Sequence, residues 1–183
     1  MFDGKKRLLS GRSSYSEVER LIMNGRELCI VSPYIDSYYA RLLSRNSGGK
    51  RVFILSSSID KEAAKLIGRR FSLSKFVLFL ALMAVELYIG AGLGNYILAM
   101  AATLATLGAG ILLSWTGSGI SLRIPKRFVH AKMYISESRA ITGSANLTYR
   151  GMHSNVEMIE VIDDRETVER MKRMFWKMWK EYS

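Results

Sequence analysis

FVHAKMYISESRAITGSAN, residues 128–146, is the stretch around which the rest of the chain is organised. His130 and Lys132 are two residues apart in an alternating apolar run, so a strand would place both side chains on one face. Ser144 and Asn146 repeat that spacing further along. Two neighbouring strands would then direct an imidazole, an ammonium, a hydroxyl and an amide into one space. A nucleophile, a cation and two neutral donors suit a phosphate ester.

The histidine and lysine form a weak signal by themselves, because a short motif arises by chance and a lone histidine on a strand is usually a core residue. The sequence Gly143-Ser144-Ala145-Asn146 at this distance adds to the signal. So does Asn155-Val156-Glu157, which follows it. The combination argues against coincidence.

These residues resemble the signature of the phospholipase D superfamily, which is His-x-Lys, an acidic residue, Gly-Ser-x-Asn and a later glutamate. The resemblance implies that His130 is the nucleophile and that Lys132 is the cation that binds phosphate. It implies that Ser144 and Asn146 donate to the phosphate and that Glu157 orients the histidine. The resemblance covers residues 128–163 best, extends to 27–58, and omits the apolar middle.

The sequence departs from that signature at the acidic position, five residues after the lysine, which holds Glu137 rather than aspartate. The following turn is also one residue shorter than in many members. In the family this acid is mostly structural, so the resemblance implies a supporting role for Glu137.

The resemblance implies a phosphohistidine on His130 and a second imidazole that protonates the leaving group and then activates water. It implies neither a metal nor a cofactor, since Lys132 and the neutral donors would stabilise the charge. The chain has one His-x-Lys, so the economical arrangement is a two-fold homodimer with His130 of each copy at the axis. His153 is the alternative second histidine, although its glycine-containing loop is more typical of a solvated residue.

The charge of the chain points to a polyanionic partner. Its 183 residues suffice for one domain and carry a formal charge of +11, which favours nucleic acid or anionic lipid headgroups. Cys29 is the only cysteine, so no internal disulfide forms. It lies in an apolar run that predicts a buried thiol, and the two histidines offer no zinc spacing.

A long apolar region interrupts the chain. Between Lys75 and Arg123 there is no lysine, arginine or aspartate, and the one glutamate is Glu86. Residues 76–91 and 96–115, on either side of a glycine-rich turn, approach the roughly 20 residues that cross a bilayer. They predict a transmembrane hairpin; a buried hairpin in a soluble core is the alternative. We expect Glu86 near the outer end, with its carboxylate reaching water.

Two rows of small residues suit close helix packing within lipid, namely Ala101, Ala105 and Ala109, and Ala102, Thr106 and Gly110. Basic residues flank both apolar segments, whereas the turn between them has no charge. The positive-inside rule then predicts an integral membrane protein with two spans and a cytosolic catalytic domain.

The remaining segments predict an α/β fold, a mixed sheet flanked by helices of the phospholipase D kind, with the hairpin inserted. The expected divisions are residues 1–72 and 118–183 for the two halves and 73–117 for the hairpin. Predicted strands cover residues 27–35, 51–56, 128–135, 140–142 and 156–162. Predicted helix starts are a capping box at residues 14–17 and caps at Asp36, Asp60 and Asp163.

Three functions compete. A membrane-tethered nuclease fits the charge and the compact single-motif form, with cations available to hold a phosphate backbone at Arg12, Arg41, Arg45, Lys50 and Arg150. A phospholipase D or phosphatidyl transferase fits the hairpin and its basic flanks. A non-catalytic membrane scaffold is disfavoured by the complete set of motif residues.

Overall fold

The computed structural model describes residues 6–67, 70–116 and 119–182. It divides the chain into two compact units, residues 1–68 with 118–183, and residues 69–117. The first is an α/β unit and the second is a helical hairpin. The predicted boundary at residues 117 and 118 lies outside the described residues.

The α/β unit is built on a sheet of seven strands. In chain order, the strands of the protein are β1 (Lys6–Ser10), β2 (Glu27–Val31), β3 (Tyr34–Ile35), β4 (Arg51–Leu55), β5 (Ser58–Ile59), β6 (Arg70–Phe71), β7 (Trp115–Thr116), β8 (Ile120–Arg123), β9 (Met133–Ile135), β10 (Ala140–Gly143) and β11 (Met158–Ile162). The sheet order is β1-β11-β10-β9-β2-β4-β8. β2, β4 and β8 are parallel, whereas β1, β11, β10 and β9 join them through antiparallel pairs.

The α/β unit has helices on both faces of its sheet, and the hairpin unit contains two further helices. In chain order the helices are α1 (Arg12–Asn24), α2 (Ser37–Asn46), α3 (Lys61–Ile67), α4 (Leu73–Gly92), α5 (Tyr96–Ser114), a π-helix (Arg150–Ser154) and α6 (Arg165–Glu181). α1, α2 and α3 pack on one face, and α6 packs on the other. The expected mixed α/β fold is confirmed.

The central strand β2 shows why its sequence is apolar throughout. Leu28 and Ile30 point into the core under α1 to α3, whereas Cys29 and Val31 point into the core under α6. A strand buried on both faces has no polar side, so alternation is lost. The Cys29 thiol is buried as expected, and this burial raises its pKa to about 12.

Four predicted strands are shorter than expected: those at 51–56 and 156–162 lose one and two residues, as Arg51–Leu55 and Met158–Ile162. The other two are cut back further, because a strand ends where its partner leaves. Residues 128–135 pair only as β9, and the last pair joins Val31 to Met133. Beyond it, the Ser32 backbone N–H turns to the Leu55 carbonyl (3.1 Å), and Pro33 has no N–H to offer. The segment that carries His130 is therefore extended but outside the ladder. The prediction for residues 27–35 is wrong for the same reason, since β2 and β3 are separate.

The predicted caps differ at two helices. α1 begins after Gly11, whose φ is 63°, so residues 14–17 lie inside the helix and the start expected there is wrong. Glu17 pairs with Arg139 (3.0 Å), and the side chain of Ser14 lies outside what the structure describes. α6 is capped by Asp164, which accepts from the Thr167 N–H (2.9 Å). The predicted cap Asp163 is taken by Arg139 (Nε–Oδ1, 2.5 Å).

The hairpin consists of α4 and α5, which have 20 and 19 residues. At 1.5 Å per residue each is about 30 Å long, and both are long and apolar enough to cross a membrane. Gly110 packs against the Phe79 ring. Thr106 Oγ1 donates to Glu86 Oε1 (2.6 Å), so Glu86 faces the other helix instead of reaching outward. The row of Ala102, Thr106 and Gly110 is the one turned to α4.

Glu137 ties the turn between β9 and β10 to the start of β2. Its carboxylate accepts from the backbone N–H groups of Arg26 (3.1 and 3.2 Å) and Glu27 (3.4 Å). Burial raises the pKa of this carboxyl, but the backbone donors outweigh burial and hold the pKa below its usual range. The structural role implied for this residue agrees with these bonds.

Replacing the Glu137 carboxylate tests how much these hydrogen bonds stabilise the fold. We expect Glu137→Gln to lower the free energy of unfolding by about 1–2 kcal/mol at neutral pH, because charge-assisted bonds become neutral ones. A carboxyl with a lowered folded-state pKa stabilises the fold above its unfolded pKa and loses this as the pH falls. The difference from the parent should therefore shrink toward roughly pH 3. Urea unfolding followed by tryptophan fluorescence measures it.

The matched control is Glu169→Gln. Glu169 is exposed and, among the described residues, pairs with Lys172 one turn away (3.1 Å), so its loss should change stability little. A Glu137→Gln deficit that stays constant across the pH range would contradict the electrostatic account.

Candidate active site

The predicted site residues lie at one end of the sheet. β9 runs antiparallel to β2, so the start of β9 meets the carboxyl end of β2, with Val31 opposite Met133. β10 ends and β11 begins at that same edge, with Gly143 opposite Ile159. The residues that precede β9 and β11 and follow β10 therefore converge there, namely His130, Lys132, Ser144, Asn146 and Glu157.

His130 and Lys132 are in direct contact. Lys132 Nζ lies 3.4 Å from Nδ1 and 3.3 Å from Nε2 of His130, and donates to the His130 carbonyl (2.9 Å). Lys132 is 7% exposed. Burial lowers the pKa of its ammonium, and the negative charge of Glu157 partly opposes this. The result is a desolvated cation against the imidazole, where it interacts more strongly with an anion than it would in water.

Ser57 holds the segment before His130. Its hydroxyl accepts from the Val129 N–H (2.8 Å) and donates to the Val129 carbonyl (3.2 Å). This serine follows β4 and was not predicted to serve the site. A signal for it exists, because Ile54-Leu55-Ser56-Ser57-Ser58-Ile59-Asp60 repeats the pattern of Ile30-Val31-Ser32-Pro33-Tyr34-Ile35-Asp36. Both segments leave parallel strands at the site edge.

Two hydrogen bonds with neighbouring strands and loops hold the loop after β10. Tyr134 donates its hydroxyl to the Ala145 carbonyl (2.7 Å), between Ser144 and Asn146. Ser32 Oγ accepts from the Leu147 N–H (2.9 Å). A Cβ at Gly143 would collide with the backbone of β11, so glycine is needed where β10 approaches it. The loop is thus held at both ends of the motif.

Ser144 and Asn146 differ in how they are engaged. Ser144 Oγ accepts from the Met158 N–H (3.0 Å) and lies 3.4 Å from the Met158 carbonyl. The Oδ1 atom of Asn146 is buried and has no partner among the described residues. A buried orphan acceptor is unusual in a folded protein and calls for a ligand or another donor.

Glu157 does not make the contact that the resemblance implies. Its carboxylate accepts from Asn155 Nδ2 (3.0 Å). Within residues 6–67, 70–116 and 119–182, no hydrogen bond joins His130 to Glu157, Ser144 or Asn146. Glu157 acts on the site through its charge, which opposes the lowering of the Lys132 pKa.

His153 lies elsewhere. Its Nε2 atom is 3.3 Å from Glu19 Oε1 and 3.3 Å from the Tyr39 hydroxyl. Its ring stacks on Tyr149, with 4.5 Å between centroids. With 17% of its side chain exposed, it is not a solvated loop residue, and its contacts among the described residues are with Glu19 and aromatic rings rather than with His130.

A cleft of about 300 Å³ adjoins His130, and its wall includes Arg127, Phe128 and Tyr182. It offers space beside the imidazole for part of a substrate. Among the described residues no group of three or more histidine, cysteine or acidic side chains is placed to hold a metal ion.

Comparison with known proteins agrees with this arrangement. A family model described as cardiolipin synthase, PLD-like domain, matches residues 18–179. No curated protein sequence matches the chain. Solved structures share the fold: a phospholipase D family member, Nuc from Salmonella typhimurium (14% identity, TM-score 0.59, 97% of each chain), and NucT from Helicobacter pylori (16%, 0.57, 97% of each chain). Phosphatidylserine synthase from Haemophilus influenzae matches as well (14%, 0.56), over 97% of this chain and 38% of its own.

The family match spans most of the chain, and the solved structures carry the same mixed sheet. The His-x-Lys and Gly-Ser-x-Asn residues lie at one edge of that sheet, as the signature predicts. The chain therefore belongs to the phospholipase D superfamily of phosphodiesterase-type enzymes, through a PLD-like domain of the cardiolipin synthase kind.

Proposed function

We propose that the protein is a membrane-anchored phosphodiesterase that hydrolyses nucleic-acid phosphodiesters without a metal, in a homodimeric site. The observation that supports it most is the contact between a 7%-exposed lysine and the ring of His130. An ammonium group only donates, so a ring nitrogen that accepts from it carries a lone pair. The pair thus combines a nucleophile with a site for the phosphate charge.

In the first step a ring nitrogen of His130 attacks phosphorus, a P–N bond forms, and the P–O bond to the leaving alcohol breaks. A second imidazole, as imidazolium, gives its proton to the leaving oxygen. That imidazole then removes a proton from water, whose oxygen attacks phosphorus and breaks the P–N bond. Lys132 and the donors of the Gly-Ser-x-Asn loop stabilise the charge on the equatorial oxygens.

The second imidazole comes from a second copy of the chain in this proposal. His153 is held by Glu19 and Tyr39 and stacked on Tyr149, so its ring is already engaged. The described residues contain no further histidine. A two-fold axis through the site would supply the missing ring and repeat every contact on both sides.

Charge supports nucleic acid as the substrate, with +11 on the chain. Of the cations expected to hold a phosphate backbone, Arg41, Arg45 and Arg150 are exposed. Lys50 is not available, because its Nζ donates to the carbonyls of Ile22 (2.9 Å) and Met23. The side chain of Arg12 lies outside what the structure describes.

Phospholipid is the second candidate substrate. The matched family is described by the name of cardiolipin synthase, and phosphatidylserine synthase shares the fold. A hairpin in the bilayer would keep the site close to headgroups. The two substrates are separated by the assay below.

The hairpin supports membrane anchoring. Its large apolar side chains are exposed, among them Leu98 (65%), Leu104 (62%) and Leu112 (74%). A soluble protein rarely leaves so extended an apolar surface in water, whereas lipid covers it at no cost. We infer two spans, with both termini and the α/β unit in the cytosol, from the basic residues that flank the apolar segments.

Removal of the nucleophile tests the chemistry. His130→Ala should lower the rate of phosphodiester cleavage at least about 1,000-fold, because the covalent step is lost. Purified protein is incubated with EDTA and, separately, with single-stranded DNA, RNA, labelled phospholipid and a small activated diester. Parent activity should survive EDTA.

The control is His153→Ala, checked for folding by circular dichroism, which should retain activity on the small diester. Cleavage that requires an added metal, or that persists in His130→Ala, would refute the mechanism. If labelled phospholipid is the only polymer or lipid substrate cleaved, the proposed mechanism stands but the proposed nucleic-acid substrate is wrong.

The Lys132 cation predicts an alkaline limit. Because burial lowers the pKa of this ammonium, it loses its charge at a lower pH than an ordinary lysine. The kcat/KM of the parent should then fall on the alkaline side below about pH 10.4. Lys132→Arg should be slower at neutral pH, since its geometry differs, but should lack that decline. If kcat/KM of both proteins falls at the same alkaline pH, the decline comes from a group other than Lys132.

A charge within the hairpin tests the membrane anchor. Leu104→Arg should reduce the fraction of protein that resists alkaline carbonate extraction from membranes, because arginine at the centre of a span costs about 2.5–3.5 kcal/mol on insertion. Leu8→Arg is the matched control, since Leu8 is an equally exposed leucine on β1 (67%). Equal extraction of both variants would argue against insertion.

A further inference from the structure

One exposed ridge of α2 combines an aromatic ring with two cations. Tyr38, Arg41 and Arg45 are separated by three and four residues, which places them on one side of the helix. Tyr38 is 42% exposed, and both arginines are exposed. The helix contains no acidic residue. The ridge is therefore open and positive.

The π-helix extends this ridge. Tyr149, just before it, is 50% exposed, and its ring centroid is 5.1 Å from that of Tyr38. Arg150 follows and is exposed. We call Tyr38, Arg41, Arg45, Tyr149 and Arg150 the aromatic-basic strip. π-helical turns often occur at functional sites.

One carboxylate holds the backbone on both sides of the strip, at the residue after Tyr38 on α2 and at Tyr149. Asp36 Oδ1 accepts from the Tyr39 N–H (3.1 Å) as the cap of α2, and Oδ2 accepts from the Tyr149 N–H (2.6 Å). Its negative charge also lies at the amino end of the helix, where it interacts favourably with the helix dipole. The strip thus has a fixed geometry.

Behind the strip, His153 fills the space between the rings. It stacks on Tyr149 at 18°, and its ring is tilted by 36° against that of Tyr15, with centroids 4.1 Å apart. Glu19 pairs with His153 and Tyr39 in this layer. Burial raises the pKa of the Tyr38 hydroxyl, and Glu19 and Asp36 are close enough to raise it further, so these carboxylates offset part, but not all, of the charge of the three arginines of the strip.

The strip begins next to the active site. Thr148 N–H donates to the Asn146 carbonyl (2.8 Å), and Tyr149 is the next residue. Three residues span at most about 10 Å. A chain of phosphodiesters with one phosphate at Lys132 would therefore have its neighbouring nucleotides within reach of Tyr149 and Tyr38.

We propose that the aromatic-basic strip binds single-stranded nucleic acid beside the phosphodiester that is cleaved. Bases stack on Tyr38 and Tyr149, and the arginines contact the backbone. Two exposed rings next to cations match how proteins hold single strands without reading sequence. The inference rests on the proposed function, because it names the form of the substrate for the same site.

Binding is measured in a His130→Ala background, so that cleavage does not interfere. The full chain in detergent micelles is titrated with fluorescein-labelled oligothymidylate, with duplex DNA of the same length and, separately, with anionic phosphatidylglycerol vesicles. Variants are Tyr38→Ala with Tyr149→Ala, the corresponding double Phe variant, and Arg41→Ala with Arg45→Ala. Arg170→Ala with Arg173→Ala is the control, because these are exposed arginines of α6.

The double Ala variant should weaken single-strand binding about 10- to 100-fold, since stacking is lost, and the double Phe variant should bind as the parent does. Loss of Arg41 and Arg45 should reduce the slope of log K against log salt by about 1.4, whereas the α6 control should keep the affinity of the parent. Unchanged binding in all strip variants would overturn the proposal. So would vesicle binding that falls while oligonucleotide binding does not.

A small activated diester separates this proposal from the proposed function. With His130 restored, the strip variants should cleave it within about twofold of the parent, because the strip is not part of the chemistry. A parent that fails to cleave it would refute the proposed reaction while leaving the binding result to stand.

Discussion

The antiparallel pairing of β9 with β2 is the constraint on which the site depends. β2, β4 and β8 are parallel, so their carboxyl ends lie at one edge of the sheet. By entering from that edge in the opposite direction, β9 brings the residues that precede it to the same place. β10 and β11 then repeat the reversal in register. A parallel β9 would have left His130 and Lys132 at the other end of the sheet.

Two polar groups at that edge are buried without full compensation. The Lys132 ammonium is desolvated, and Glu157 compensates for this burial only in part, through its negative charge. The buried Oδ1 of Asn146 has no partner in the described part of the chain. Such arrangements lower stability, and proteins keep them where function needs them. By contrast, the hydroxyls of Ser57 and Tyr134 form hydrogen bonds with backbone groups, and these bonds fix the loops that carry the predicted site residues.

The sequence predicted those features that local pattern decides. The parallel pairing of β2 and β4, the cap at Asp36, the two apolar helices and the superfamily follow from apolar runs, turn residues and motif spacing. It could not predict where β9 begins, since that depends on where β2 bends away. The sequence also could not show whether Asp163 or Asp164 caps α6, because Asp163 accepts a hydrogen bond from Arg139, which lies 24 residues earlier.

The aromatic layer around His153 was also beyond prediction, because Tyr15, Tyr38 and Tyr149 come from three separate elements. The serine that holds the His130 segment was signalled by the repeat at residues 30–36 and 54–60. That repeat is visible in the sequence once the two short strands β3 and β5 are known to pair.

The ladder that closes the hairpin also affects how the chain could have acquired it. β6 and β7 pair antiparallel, Arg70 with Thr116 and Phe71 with Trp115. Their Cα atoms are then about 5 Å apart, so a long excursion leaves and returns at nearly one point. The entropy of closing a loop grows only slowly with its length. An ancestor with a short turn here could gain or lose the whole excursion without re-threading its sheet.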